Sequence, residues 1–97
     1  MRKVKISEFD MRVVINGLNT MRPSYNPDKQ REVISVLSRL LDVHEAMKPN
    51  KKKRILFEPA EKRLIVHCLN EWRSAFLSEG KEPQAEQVGE TMLLFIK

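Results

Sequence analysis

The chain is poor in several residue types, and each shortage excludes a class of protein. Only one of its 97 residues is a cysteine, Cys68, so no internal disulfide can form and a reducing cytoplasm is the expected location. No apolar run approaches the roughly 18 residues of a transmembrane helix, and the basic start MRKVKI lacks the apolar centre of a secretory signal peptide. We therefore expect a soluble cytoplasmic protein with no membrane partner.

Motifs for catalysis and cofactor binding are also missing. The chain has three glycines, and it contains no glycine-rich phosphate loop, nucleophile elbow or catalytic pair of carboxylates. His67 and Cys68 are adjacent, but neighbours on a helix point about 100° apart, so only His67 and Glu71 share a face. Two ligands do not make a zinc site, and a thiol nucleophile needs a base within reach. We expect no enzyme activity, no metal and no cofactor, with His67 at the surface, Cys68 packed, and His44 half-buried with its ring hydrogen-bonded.

Positive charge is plentiful, and it is unevenly placed. The net charge is +5, yet residues 1–6 and 48–54 hold eight cations and no carboxylate, while the other ten Lys and Arg are opposed by all thirteen Asp and Glu. Clustered cations suit phosphates, because binding phosphates releases condensed counterions. The alternatives are a solvated connector and a targeting signal. The residues predicted to contact a nucleic acid or other polyanion are Arg2, Lys3, Lys5, Lys48, Lys51, Lys52, Lys53 and Arg54.

The chain matches itself at an offset of 51 residues. Residues 3–22 (KVKISEFDMRVVINGLNTMR) lie over residues 54–73 (RILFEPAEKRLIVHCLNEWR) with four identities and with their apolar positions in register. Four identities in twenty are also compatible with chance. The shared register nevertheless predicts a duplication within a single domain, with halves 3–48 and 54–97.

Caps, prolines and glycines predict four helices. A polar cap precedes each of the first two helices, prolines open the second, third and last, and Pro23 and Gly80 stop the first and third. The predicted spans are 8–22, 27–47, 59–79 and a last helix from Pro83. The apolar stripe expected on the second helix consists of Val33, Ile34, Leu37, Leu40, Leu41, His44 and Met47.

Two extended-looking segments, 3–6 and 54–57, precede the first and third helices at equivalent places in the repeat. If the halves pack about a pseudo-two-fold axis, these segments pair as a short ribbon and bring the basic segments together. The fold expected is thus mainly α: a four-helix domain of two αα units, with a two-stranded ribbon as a conditional element.

Aromatic and apolar side chains supply a second candidate surface. Trp72 and Phe76 continue the stripe of the third helix and are expected in the core, with an interface anchor as the alternative. Phe9 and Val13 lie opposite the main stripe of the first helix, on a face that the domain must cover or offer to a partner. The apolar tail 92–96 either closes the core or exchanges with a second copy in a homodimer. The predicted partner-binding residues are Phe9, Val13, Trp72 and Phe76.

In size, basic charge and lack of catalytic motifs, the chain resembles small accessory proteins of bacteria and their phages, which implies action by binding a host protein or DNA. We expect first a regulatory adaptor or inhibitor that acts by protein–protein interaction. The alternative is a nucleic-acid binder that contacts the backbone, because the chain lacks zinc-finger spacing, an RNP motif and a short helix-turn-helix connection. Cations gathered on one face without carboxylates favour the alternative, whereas exposed apolar side chains favour the adaptor.

Overall fold

The structure of the chain is a computed structural model that describes residues 3–96, so the predicted contact residue Arg2 lies outside the described residues. Two strands pair antiparallel as a ribbon, and four α-helices pack beneath it. The predicted mainly α domain with a short ribbon is confirmed. Along the chain the elements are β1 (Lys3–Ser7), α1 (Glu8–Met21), a 3₁₀ turn (Arg22–Ser24), α2 (Pro27–Glu45), β2 (Lys52–Leu56), α3 (Pro59–Ser78) and α4 (Glu82–Ile96).

Local hydrogen bonds explain where these helices begin and end. The Ser7 hydroxyl accepts the Asp10 amide at 3.0 Å, and Asn26 Oδ1 accepts the Lys29 amide at 2.8 Å, so each side chain satisfies an amide that has no partner within its helix. The predicted stop at Gly80 is confirmed, since its φ of 75° is favourable only for glycine and lets the chain turn away.

The second helix ends earlier than predicted, at Glu45 instead of 47. The amides of Ala46 and Met47 bond to carbonyls three residues back, at 3.1 and 3.0 Å, which tightens the last turn and ends the α-helical pattern. Asn50 then adopts a positive φ of 66°, a conformation that asparagine tolerates better than most residues.

The core follows the 51-residue offset. The pairs 13/64, 14/65, 17/68 and 18/69 are buried at both positions, and so are 4/55 and 6/57 around the ribbon. Within the ribbon, Val4 pairs directly with Ile55, and these two residues are themselves equivalent under the offset. Superposing the two halves is the direct test of the duplication, which stays a prediction.

Two residues expected on the apolar face of α2 are exposed, and Val13 on α1 is covered by the fold. Ile34 and Leu41 are 44% and 45% exposed, and the buried stripe of α2 instead consists of Val33, Val36, Leu37 and Leu40. The reason is that α2 packs mainly on α1, so only one narrow face of α2 is covered. Val13 is only 8% exposed and belongs to the core, which leaves it unavailable to a partner in this structure.

The apolar tail folds as the end of α4, and Phe95 helps to close the core. Its ring meets that of Phe57 edge to face, with the ring centroids 5.1 Å apart. Leu93 and Ile96 from the same segment point outward and are about half exposed. No helix among residues 3–96 combines the length and the apolar character needed to span a bilayer.

Each half is tied to the other by a carboxylate in the first turn of α1 or α3. Asp10 Oδ1 accepts the hydroxyl of the fully buried Thr91 on α4 at 2.8 Å. Glu61 receives two hydrogen bonds from the Arg39 guanidinium on α2, at 2.7 and 2.8 Å. Asp10 and Glu61 are equivalent under the offset, so in both halves the same position accepts a hydrogen bond from the other half.

The interaction between Glu61 and Arg39 should stabilise the fold at neutral pH, and this stabilisation should be lost in acid. Burial opposes the ionisation of Glu61, but hydrogen bonds from Arg39 and the Glu58 amide outweigh it and hold its pKa below the ordinary value of 4.5. A lowered folded-state pKa stabilises the fold above the unfolded-state pKa, and this stabilisation is lost as pH falls through the folded value. Glu61→Gln should therefore cost no more than about 1 kcal/mol at neutral pH and should flatten the stability curve below about pH 4.5.

Urea unfolding measured from neutral pH down to acid checks this expectation. The exposed Glu86, which has no ion pair among the described residues, supplies the matched control Glu86→Gln. If the free energy of unfolding falls equally steeply with decreasing pH in Glu61→Gln and in wild type, the lowered pKa of Glu61 does not contribute to stability.

Candidate nucleic-acid interface

The ribbon sorts its side chains onto two faces. Directly paired residues on neighbouring strands point to the same side, so the pair Val4 and Ile55 faces inward with Ile6, and these three are buried. Lys53, the partner of Ile6, lies on this side too but is exposed. The opposite face, which we call the outer ribbon face, points to solvent. It consists of Lys3, Lys5 and Ser7 on β1 and Lys52, Arg54 and Leu56 on β2.

Like charges are placed directly opposite each other on this outer ribbon face. Lys5 is the cross-strand partner of Arg54, and both side chains are exposed. Cations in such a pair repel one another and weaken a ribbon, and a ribbon of only two strands has little stability to spare. This repulsion occurs at the middle pair of the ribbon, and a bound polyanion would screen it.

The loop before β2 adds more cations beside the ribbon. Lys48, Lys51, Lys52 and Lys53 line a shallow cavity of about 310 Å³ together with Ala46 and Met47. The sequence predicted an extended segment that begins at Arg54, and β2 begins two residues earlier, so Lys52 and Lys53 also belong to the strand. The ribbon therefore joins cations from the first six residues to those of 48–54.

These cations have no carboxylate partners in the part of the chain that the structure describes. The ion pairs found among residues 3–96 engage other basic side chains: Arg12, Arg31, Arg39, His44, His67 and Lys81. Seven predicted contact residues are described and stay without a counter-charge, namely Lys3, Lys5, Lys48, Lys51, Lys52, Lys53 and Arg54. A basic surface of this kind is not neutralised by its own fold.

Acidic groups near the ends of the ribbon are already engaged. Glu8 contacts the Arg12 guanidinium at 2.7 Å, and His44 Nε2 at the same distance, which confirms His44 as a half-buried residue with its ring hydrogen-bonded. The hydrogen bond with His44 is the main reason why the pKa of Glu8 lies below its ordinary value. Glu61 is bound by Arg39, which also lies over the Phe57 ring at 5.4 Å. Both carboxylates are therefore partly neutralised beside the basic surface.

The four predicted partner-binding residues do not form one exposed surface. Phe9 is 47% exposed, whereas Val13 is buried beneath it on the same helix. Trp72 and Phe76 are half-buried with ring centroids 5.0 Å apart, and the Trp72 ring packs against Gly17. Their placement agrees with the core interpretation of the two aromatics.

A groove between α3 and α4 was missed by the sequence reasoning. Its volume is about 510 Å³, and its apolar floor is made by Val66, Met92 and Phe95. Arg63 and His67 stand at its edge. The sequence shows an apolar tail and an apolar stripe on the third helix. It does not show that the two pack together, because that contact is a tertiary feature.

The adjacent His67 and Cys68 have different environments and different partners. Cys68 is fully buried, and burial raises the pKa of its thiol, so the reactive thiolate is disfavoured. The Tyr25 hydroxyl lies 3.1 Å from Cys68 Sγ, while the exposed His67 pairs with Glu71 instead. Within residues 3–96, no three His, Cys, Asp or Glu side chains are grouped so that they could hold a metal ion.

Comparisons with family models, with curated proteins and with solved structures found no match. The geometry of the basic surface is therefore the main guide to the function of this chain.

Proposed function

We propose that the protein is a nucleic-acid-binding module that uses the outer ribbon face and the adjoining lysine loop, and that it acts in the cytoplasm without catalysing a reaction. The observation that carries the proposal is the gathering of seven described cations, from two distant parts of the sequence, on and beside one short ribbon without carboxylate partners. Lys3, Lys5, Lys52 and Arg54 lie on the outer ribbon face, Lys48 and Lys51 lie in the adjoining loop, and the exposed Lys53 lies on the other side of β2. Gathered and uncompensated cations are the feature that separates a nucleic-acid binder from an adaptor. They would meet a phosphate backbone and release its counterions.

The repulsion between Lys5 and Arg54 supports the same proposal. Solubility alone is served by cations anywhere on the surface, and it gives no reason to place two of them opposite each other on a short ribbon. Departures from local rules tend to occur at functional sites, where a ligand offsets their cost. A polyanion lying along the ribbon would turn this repulsion into attraction.

A second candidate function, a protein-binding adaptor or inhibitor, is favoured by a different observation. Phe9 is nearly half exposed on α1, Ile34 and Leu41 lie seven residues apart on the uncovered side of α2, and the groove beside α4 has an apolar floor. These features are spread over the domain and do not form one continuous patch with the predicted anchors. A partner protein or a second copy of the chain would cover one of them. A pull-down that retains its protein partner after nuclease treatment would favour this candidate.

Binding of wild type to duplex DNA over a range of salt concentrations tests the proposed function. Each phosphate contact lowers the slope of log affinity against log salt by about 0.9, so the seven described cations together would account for a slope of about −6. We expect a slope between about −3 and −6, measured by fluorescence anisotropy of a labelled duplex. Absence of binding to both DNA and RNA at low salt, where attraction between charges is strongest, would overturn the proposal.

A further inference from the structure

We infer, on the premise of the proposed function, that the ligand is B-form duplex DNA, that the ribbon enters its major groove, and that Leu56 and Arg54 contact base edges there. The preferred site is then a sequence without two-fold symmetry. This goes beyond contact with the backbone, which the sequence alone suggested.

The size of the ribbon suits the major groove. Two strands lie about 4.8 Å apart, and five residues at about 3.3 Å each span about 16 Å. The major groove of B-form DNA is about 12 Å wide and admits a two-stranded ribbon, here with the outer ribbon face turned toward the bases. Lys3, Lys5, Lys52, Arg54 and Leu56 are all exposed, so this face is free to enter it.

Leu56 is the side chain that a purely electrostatic surface does not explain. It is 44% exposed on the outer ribbon face, across from Lys3, and the strand turns it away from the core. An apolar side chain gains nothing from phosphates. In the major groove, however, the C5-methyl group of thymine offers an apolar contact, and it occurs beside the acceptor groups that lysines prefer.

Arg54 lies two residues before Leu56 and shares its face. A guanidinium can donate two parallel hydrogen bonds to O6 and N7 of guanine, which is the commonest specific contact in the major groove. Lysine at that position would keep the charge but would lose the paired geometry. Arg54 and Leu56 therefore favour a guanine and a thymine within a few base pairs of each other.

The same two residues remove the two-fold symmetry of the site. Under the 51-residue offset, Arg54 corresponds to Lys3 and Leu56 corresponds to Lys5. The Val4–Ile55 pair is related to itself by the offset, but the positions on either side of it carry different side chains. Symmetric DNA sites mirror symmetric proteins, so a ribbon with unlike ends favours an asymmetric site.

Duplex RNA should be a poorer ligand. The major groove of A-form RNA is deep and narrow, and side chains cannot read it. Uracil also lacks the methyl group that Leu56 would contact. Contact with phosphates alone would treat the two duplexes more nearly alike.

The experiment is selection of the full chain on a duplex DNA library with a randomised segment, followed by affinity measurements on the selected duplex. Replacing its conserved thymines by deoxyuridine removes only the methyl groups. We expect wild type to lose roughly fourfold in affinity per contacted methyl, and Leu56→Ala to bind both duplexes equally. Arg54→Lys should lose roughly tenfold in its preference for guanine while keeping the slope of affinity against salt.

Leu77→Ala is the matched control, because Leu77 is 45% exposed at the far end of α3 and should leave the thymine preference of wild type intact. Enrichment of an asymmetric site whose methyl preference depends on Leu56 supports the inference. Enrichment of no sequence, of a palindrome, or binding to duplex RNA as tight as to DNA overturns it while the proposed function stands. Failure to bind any nucleic acid overturns both.

Discussion

Replacing Lys51, Lys52 and Lys53 together by alanine should weaken duplex DNA binding by roughly two to three orders of magnitude at 0.1 M salt. Each phosphate contact contributes about 0.9 to the slope of log affinity against log salt, so three contacts contribute up to about 2.7. The slope should become shallower by that amount, and all DNA sequences should be affected alike. Anisotropy titrations at several salt concentrations measure both quantities.

The control for this variant must remove the same charge from another place. Lys29, Arg31 and Lys81 lie away from the ribbon, near the start of α2 and the end of α3, and Arg31 and Lys81 have carboxylate partners. The triple alanine variant of these residues lowers the net charge equally and should change the slope by less than about 1. Equal losses in the two variants would show that net charge matters and that the position of the lysines does not. Both variants should unfold at nearly the wild-type urea concentration.

Truncation of Leu18 or Leu69 to alanine should have the largest effect on stability. Both side chains are fully buried at equivalent positions of α1 and α3, where these two helices pack together. Removing either should lower the free energy of unfolding by about 2–5 kcal/mol, through lost transfer energy and the cavity left behind. Urea denaturation measures the loss.

Leu41→Ala is the matched control for these truncations. Leu41 lies on a helix but is 45% exposed, so its truncation should cost less than about 1 kcal/mol. Losses below about 1 kcal/mol at both Leu18 and Leu69 would contradict their placement at the centre of the core.

The helix ends could be predicted from the sequence, because caps and glycine stops depend only on residues within one or two turns. Ser7, Asn26 and Gly80 mark helix ends through bonds and backbone conformations that involve near neighbours, and the structure contains these features. The ribbon was predicted from the repeat, and its pairing confirms it.

The features that the sequence did not predict depend on contacts between distant residues. The helical spacing of apolar residues in α2 fits a buried face through Ile34 and Leu41 and also one through Val36. Which face is buried depends on how α2 packs on α1. Lysines have weak strand propensity, so only the pairing with β1 reveals that Lys52 and Lys53 belong to a strand. The groove beside α4 likewise requires two helices to meet.

The outer ribbon face forms only when residues 3–7 and 52–56 have come together. Its strands are about 50 residues apart in sequence, and Lys3 pairs with Leu56 across the longest loop that the ribbon closes. Contacts of such long range are costly in chain entropy and tend to slow folding. A chain still being synthesised, or one whose first half has separated from its second, therefore has its lysines but no surface that holds them together. Under the proposed function, contact with base edges therefore requires the paired ribbon, and a copy whose ribbon has not formed keeps only the charge of its lysines.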